Sequence, residues 1–215
     1  MGWEDDLIAT LEDEIKKDST SGLYDEDFYN AHVKYKPIYS FLGDLIVATL
    51  EPKSVIDLGC GCGFLLERLK EHGVSTLKGI DGSDQAESAW SEDIKTFAEV
   101  HDLVKFKPEG RYDLAVCMEV AEHIPQDKSS RVVKVVTSAA SKFVWWTAAV
   151  PGQGGTGHVN CQSICYWVRE FENQGFVPAW ELTYDLKTEM LKIPEICMSF
   201  PWFRDNLILF KRVGK

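Results

Sequence analysis

The stretch Val55-Ile56-Asp57-Leu58-Gly59-Cys60-Gly61-Cys62-Gly63 constrains this chain more than any other. Apolar residues surround one acid, glycine then falls at every second position, and Leu65, Leu66 and Leu69 follow on one helical face. The pattern reads as a buried strand, a bend almost bare of side chains, and the start of a helix. Gly59, Gly61 and Gly63 let the backbone take positive φ and let a ligand come close. The helix that follows aims its unpaired N–H groups at whatever sits there.

From Ser54 onward strand and helix patterns alternate, so the fold expected is α/β, a mostly parallel Rossmann-like sheet with helices on both faces. Strands are expected at Ser54–Leu58, Thr76–Ile80, near Thr96–Val100, over Arg111–Glu119 and at Phe143–Val150. Two more are expected near Ala179–Thr183 and Asn206–Val213. Residues 1–50 read as a helical cover over the mouth of a 51–215 domain. Its first helix carries Leu7, Ile8, Leu11 and Ile15, and its second Ile38, Phe41, Leu42, Leu45 and Ile46. Tyr24, Tyr29 and Tyr35 in this cover are candidates for the pocket, with core packing as the simpler role.

The 215 residues fit one domain with a small extension. A net charge of −11, from 23 basic and 34 acidic residues, repels a phosphate backbone, and no basic cluster offsets it. DNA and RNA are therefore disfavoured as partners. No apolar run approaches the ~18 residues of a membrane span. The acidic start lacks the apolar core of a signal peptide, so a cytoplasmic location without membrane association is expected. The six cysteines show no paired C-x-x-C spacing and read as reduced packing residues.

A dinucleotide-binding G-x-G-x-x-G turn needs glycine three places after Gly61, where Phe64 stands, which disfavours an oxidoreductase. The sequence instead reads D-x-G-x-G-x-G. With Gly79-Ile80-Asp81-Gly82-Ser83-Asp84 and the run from Arg111 through Glu119-Val120-Ala121-Glu122-His123, it resembles the class I S-adenosylmethionine-dependent methyltransferases of small-molecule type. The resemblance covers about residues 50–180. It implies a seven-stranded sheet of order 3-2-1-4-5-7-6 with the last strand antiparallel, and S-adenosylmethionine as cofactor. It places the glycine bend beside the cofactor's methionine part and Asp81 on its ribose diol. Asp102 would meet the adenine amino group and the Leu103 backbone N–H the ring, with Asp57 and Glu119 completing the cofactor contacts. The Asn/Asp-Pro-Pro-aromatic motif of nucleic-acid amino-methyltransferases is absent after the fourth strand.

Methyl transfer from a sulfonium needs no metal, but an oxygen or nitrogen acceptor must lose a proton to a base with a pKa near neutrality. His123, past the fourth strand, and His158, in the glycine-rich loop after the fifth, are the candidates. Glu119 or Glu122 would orient His123. Simpler roles stand beside these: turn capping for Asp81, Asp102 and His123, and loop anchoring for His158. The expectation is an S-adenosylmethionine-dependent methyltransferase acting on a small-molecule O or N acceptor. A protein or peptide methyltransferase and a non-catalytic cofactor-binding partner protein are the alternatives. Neither the acceptor nor the oligomeric state is spelled out by the residues.

Overall fold

The computed structural model describes residues 25–214. The expected helix over residues 4–17 and Tyr24 lie outside the described residues. Asp25 caps a helix α1 (Glu26–His32), accepting from the Phe28 N–H at 2.9 Å. One 3₁₀ turn leads to α2 (Lys36–Leu50), which has proline in its first turn and ends at Glu51 in the left-handed region.

Next come β1 (Ser54–Leu58), α3 (Phe64–Glu71), β2 (Thr76–Asp81), α4 (Asp84–Ala89), α5 (Glu92–Lys95) and β3 (Ala98–Val100). Strand β4 (Tyr112–Met118), α6 (Ser129–Ala139), β5 (Ala140–Thr147) and α7 (Ile164–Glu172) continue the alternation. The chain closes with β6 (Phe176–Pro178), α8 (Trp180–Met190), α9 (Pro194–Met198), α10 (Trp202–Asp205) and β7 (Ile208–Arg212). The sheet order is β3-β2-β1-β4-β5-β7-β6, parallel except for β7, which runs antiparallel to both neighbours. The expected topology is therefore the observed one.

Period-two alternation sorts each strand's side chains onto two faces. Val55, Leu114, Trp145 and Leu209 join one buried cluster with Ile38, Leu42 and Ile46 of α2 and Leu186 and Met190 of α8. Ile56, Ala115, Trp146 and Phe210 join the other, with Val132, Val133 and Val136 of α6 and Trp167 and Phe171 of α7. Trp145 and Trp146 thus point to opposite faces, as adjacent strand residues must, and both are fully buried. Helix α2 is bound to α3 through Asp44, which meets the Arg68 and His72 side chains at 2.6 Å each. All six cysteines are free thiols.

Two strand expectations need correction. The segment expected as strand Ala179–Thr183 begins a helix, and the edge strand is Phe176–Pro178 just before it. The Thr183 N–H and hydroxyl both turn back to the Ala179 carbonyl, at 2.9 and 3.0 Å. Leu182, Leu186 and Met190 then share one helical face packed on the sheet. The fifth strand runs from Ala140 to Thr147 rather than from 143 to 150. Its pairing with β7 ends at Trp146–Ile208, so Ala148–Val150 has no neighbour on that side to continue against.

Candidate active site

Strands β1 to β5 are parallel, so the segments after their carboxyl ends share one edge of the sheet, where open α/β sheets bind ligands. The bend after β1 is tied to the end of β2. The Gly59 and Cys60 N–H groups both donate to the Ile80 carbonyl, at 2.7 and 3.0 Å. The Gly61 peptide is held on two sides: its N–H donates to Asp81 Oδ2 at 2.8 Å, and Trp90 Nε1 donates to its carbonyl at 2.7 Å. Gly59, Gly61 and Gly63 all have positive φ, of 92°, 50° and 76°. A Cβ on Gly59 would collide with the Val120 side chain, and one on Gly63 would press on Ile94, but one on Gly61 would meet nothing within 4 Å among the described residues.

Asp81 ends β2 as expected and is nearly buried. Its Oδ1 accepts from the Ser83 N–H at 3.0 Å and from the Tyr29 hydroxyl at 3.3 Å. Burial raises its carboxyl pKa above the usual range even against these donors. Asp57 lies in the strand interior, where burial and then the Asp81 charge push its carboxyl up to about 8. Tyr29 is buried against Cys60, Cys62 and Trp90, so of the two tyrosine candidates among the described residues it is the one that reaches the candidate site. Tyr35 instead packs edge-on against Phe200 of the 191–205 segment.

The structure brings Asp57, Gly59, Gly61 and Asp81 into one connected group. Asp102, past β3, lies in a turn tied to the end of β2 by the His101 N–H, which donates to the Asp81 carbonyl at 2.7 Å. Partial burial works against ionisation of its carboxyl, but Lys105 at 2.9 Å and the Val104 N–H at 2.9 Å hold its pKa below the usual range. The Leu103 side chain is buried in the core, which leaves its backbone as the part that can face a ligand.

Glu119, first residue after β4, takes φ of 53°, a sparsely populated conformation for a residue with a side chain. Its N–H donates to the Thr147 carbonyl and hydroxyl at 3.1 and 3.0 Å. Its two carboxylate oxygens accept from Asn206 Nδ2 at 3.1 Å and Gln153 Nε2 at 3.3 Å. No sequence pattern marked Gln153 and Asn206, because the folded chain brings them to Glu119 from distant positions.

The loop after β5 folds back onto the turn after β4. The Val159 and Asn160 N–H groups donate to the Glu122 carbonyl at 2.8 and 2.9 Å. The buried Asn160 amide donates to the Ala121 carbonyl at 3.3 Å and to Ser129 Oγ at 2.9 Å. This fastening sets the rings of His123 and His158 at a centroid separation of 5.0 Å. Burial lowers the His123 pKa below its ordinary value, opposed by its contact with the Gly157 carbonyl and aided by His158. Glu122 is fully buried beneath them, and burial with the nearby Glu119 charge pushes its carboxyl up to about 9.

Residues 29–179, more than half of the chain, match the family model described as a methyltransferase domain. The chain is a class I S-adenosylmethionine-dependent methyltransferase. This methyltransferase is 29% identical over 142 residues to the ubiquinone biosynthesis O-methyltransferase of Coxiella burnetii, covering 59% of the chain and 58% of that relative. With the enzyme of the same description from Nitrosomonas europaea it shares 38% identity over 95 residues, 40% of this chain and 39% of the other. The chain thus spans little more than half the length of such relatives. Magnesium protoporphyrin IX methyltransferase from Synechocystis, solved with bound S-adenosylmethionine, aligns over 84% of this chain and 81% of its own. The TM-score is 0.59 at 18% identity, a likeness of fold. Among the described residues no helix of the methyltransferase is long and apolar enough to cross a membrane.

Proposed function

We propose that this methyltransferase methylates a hydroxyl of a small organic acceptor. The observation that carries the reading is the junction of bend and acid. Gly61 offers a side clear of other atoms among the described residues, its peptide is clamped, and Asp81 stands next to it at the end of β2. That arrangement fits the family's cofactor. The bare bend would face the methionine part, and the Asp81 carboxylate would accept from the ribose hydroxyls. Asp102 and the Leu103 N–H would meet the adenine. Glu119 would supply negative charge beside the cationic portion, and the protonated Asp57 carboxyl would offer a hydrogen bond there.

When bound, S-adenosylmethionine supplies a methyl group already activated on a sulfonium. The chain's own tasks are then to align the acceptor, exclude water and remove one proton. Proton removal belongs to the His123–His158 corner, where His123 is kept neutral at physiological pH by burial. Tyr29, one of the tyrosines offered for the pocket, also takes part. Its hydroxyl already occupies Asp81, so the ribose must share that carboxylate with it or displace it. Oxygen is favoured as the acceptor atom by the O-methyltransferase description of the sequence relatives.

The test is transfer of labelled methyl from S-adenosylmethionine to hydroxylated small molecules, as a defined phenol and alcohol panel and as a metabolite extract. Labelled methyl ether is expected. Binding of S-adenosylhomocysteine with no labelled small molecule from either source would instead support a non-catalytic role.

A further inference from the structure

The histidine corner carries more ligand atoms than a general base needs. One ligand atom from each of Glu122, His123 and His158 lies within 4.8 Å of the other two. A first-row cation bound at ~2.0–2.2 Å holds its ligand atoms about 3 to 3.5 Å apart, so small side-chain rotations would close the set. We propose that Glu122, His123 and His158 bind one first-row divalent cation, zinc or manganese, at the acceptor end of the site. The placement at the acceptor end rests on the methyltransferase reading above; the ligand set does not.

Three further observations point the same way. Glu122 is 0% exposed, and neither carboxyl oxygen has a hydrogen-bond partner of sound geometry among the described residues. The Glu119 carboxyl and the Ala149 amide lie beside it without closing a well-formed bond. A buried carboxyl left in that condition is costly, and a coordinated cation would satisfy it. Both imidazoles also turn Nδ1 to a backbone carbonyl, His123 to Gly157 at 3.2 Å and His158 to Gln153 at 3.4 Å. A carbonyl only accepts, so these contacts favour the proton on Nδ1 and Nε2 as the ligand atom, the arrangement found behind metal-ligating histidines; Cys161 Sγ is a second, longer neighbour of the His158 Nδ1 at 3.7 Å. Finally, the corner is preformed. The backbone bonds from Val159 and Asn160 to Glu122 hold the two contributing segments together with no cation required.

Two imidazoles suit zinc and the carboxylate suits zinc or manganese, with open positions left for substrate. A hydroxyl coordinated there would ionise more readily, giving its proton to solvent water. The two histidines would then act through the cation, and the expectation of metal-free chemistry would be replaced.

Untagged protein stripped with chelator is titrated calorimetrically with zinc, manganese and magnesium salts. Cobalt serves as a spectroscopic stand-in, read by its visible absorption. One zinc or manganese ion per chain is expected, with magnesium weaker. Glu122→Gln and His158→Ala should each weaken uptake by about 100-fold. Glu122→Gln leaves a neutral side chain of the same shape, and its melting temperature shows that lost uptake is not lost folding. Failure of the wild-type protein to take up zinc or manganese stoichiometrically would overturn the proposal, as would uptake indifferent to both substitutions. S-adenosylhomocysteine titrated into the same preparation separates the two ideas. Its binding without cation uptake sinks the cation site alone, whereas cation uptake without it sinks the cofactor reading alone.

Discussion

Gly59 and Gly61 lie two residues apart in one bend and must be glycine for different reasons. At Gly59 a methyl group would combine left-handed backbone with a collision against Val120. Gly59→Ala should therefore cost about 3 kcal/mol or more of stability in urea unfolding. At Gly61 the same change meets open space, so only the φ penalty of about 1–2 kcal/mol remains. Its methyl group would instead project toward the surface assigned to the cofactor. Gly61→Ala should leave a folded protein with much weaker S-adenosylhomocysteine binding by calorimetry; unchanged affinity would move the cofactor off the bend. At this scale the D-x-G-x-G-x-G pattern was legible, since it needs only local backbone freedom and one acid. The Tyr29–Asp81 contact and the amides gripping Glu119 were not, because each joins residues remote in sequence.

At the scale of elements, Thr183 does for the sheet edge what a backbone group does elsewhere. Its buried hydroxyl accepts from the Leu209 N–H of β7 at 3.0 Å and donates to the Ala179 carbonyl, fastening the start of α8 to the strand beside it. Thr183→Val keeps the shape and leaves the Leu209 N–H unpaired, at a cost of about 1–3 kcal/mol in the same unfolding assay. This fastening also explains the misplaced sixth strand. Ala179–Thr183 has the apolar content of a strand, yet Pro178 closes the pairing and Thr183 turns the chain into a helix. The strands β1, β2 and β4 were readable because each ends at a motif residue. The early start of β5 was not, because Ala140 leaves α6 with no turn residue between. The histidine corner was readable only in part. The sequence placed His123 and His158 past neighbouring strands, but the backbone bonds to Glu122 that join them depend on the folded loop.

For the whole molecule, the site's carboxyls make stability depend on pH. Asp57 keeps its proton up to about pH 8 in the folded state. An aspartate in the unfolded chain loses its proton near pH ~3.9. Below that value both states are protonated and Asp57 has no effect. Between roughly pH 4 and the folded value the unfolded chain ionises first, so the folded state loses ground at up to about 1.4 kcal/mol per pH unit. Denaturant unfolding in chelator-containing buffer should show stability falling as pH rises through this window, and Asp57→Asn should flatten the slope. Glu122 contributes in the same direction, so some slope remains. An unaltered slope in Asp57→Asn would mean that Asp57 is ionised in the fold.

The central claim is that the acid ending β2 and the bare bend after β1 together hold S-adenosylmethionine. Calorimetric titration of S-adenosylhomocysteine into the wild-type protein and into Asp81→Ala tests it most directly. The account predicts one binding site per chain in the wild-type protein and no measurable binding in the variant. Equal affinity in both, or no binding to either, would contradict it.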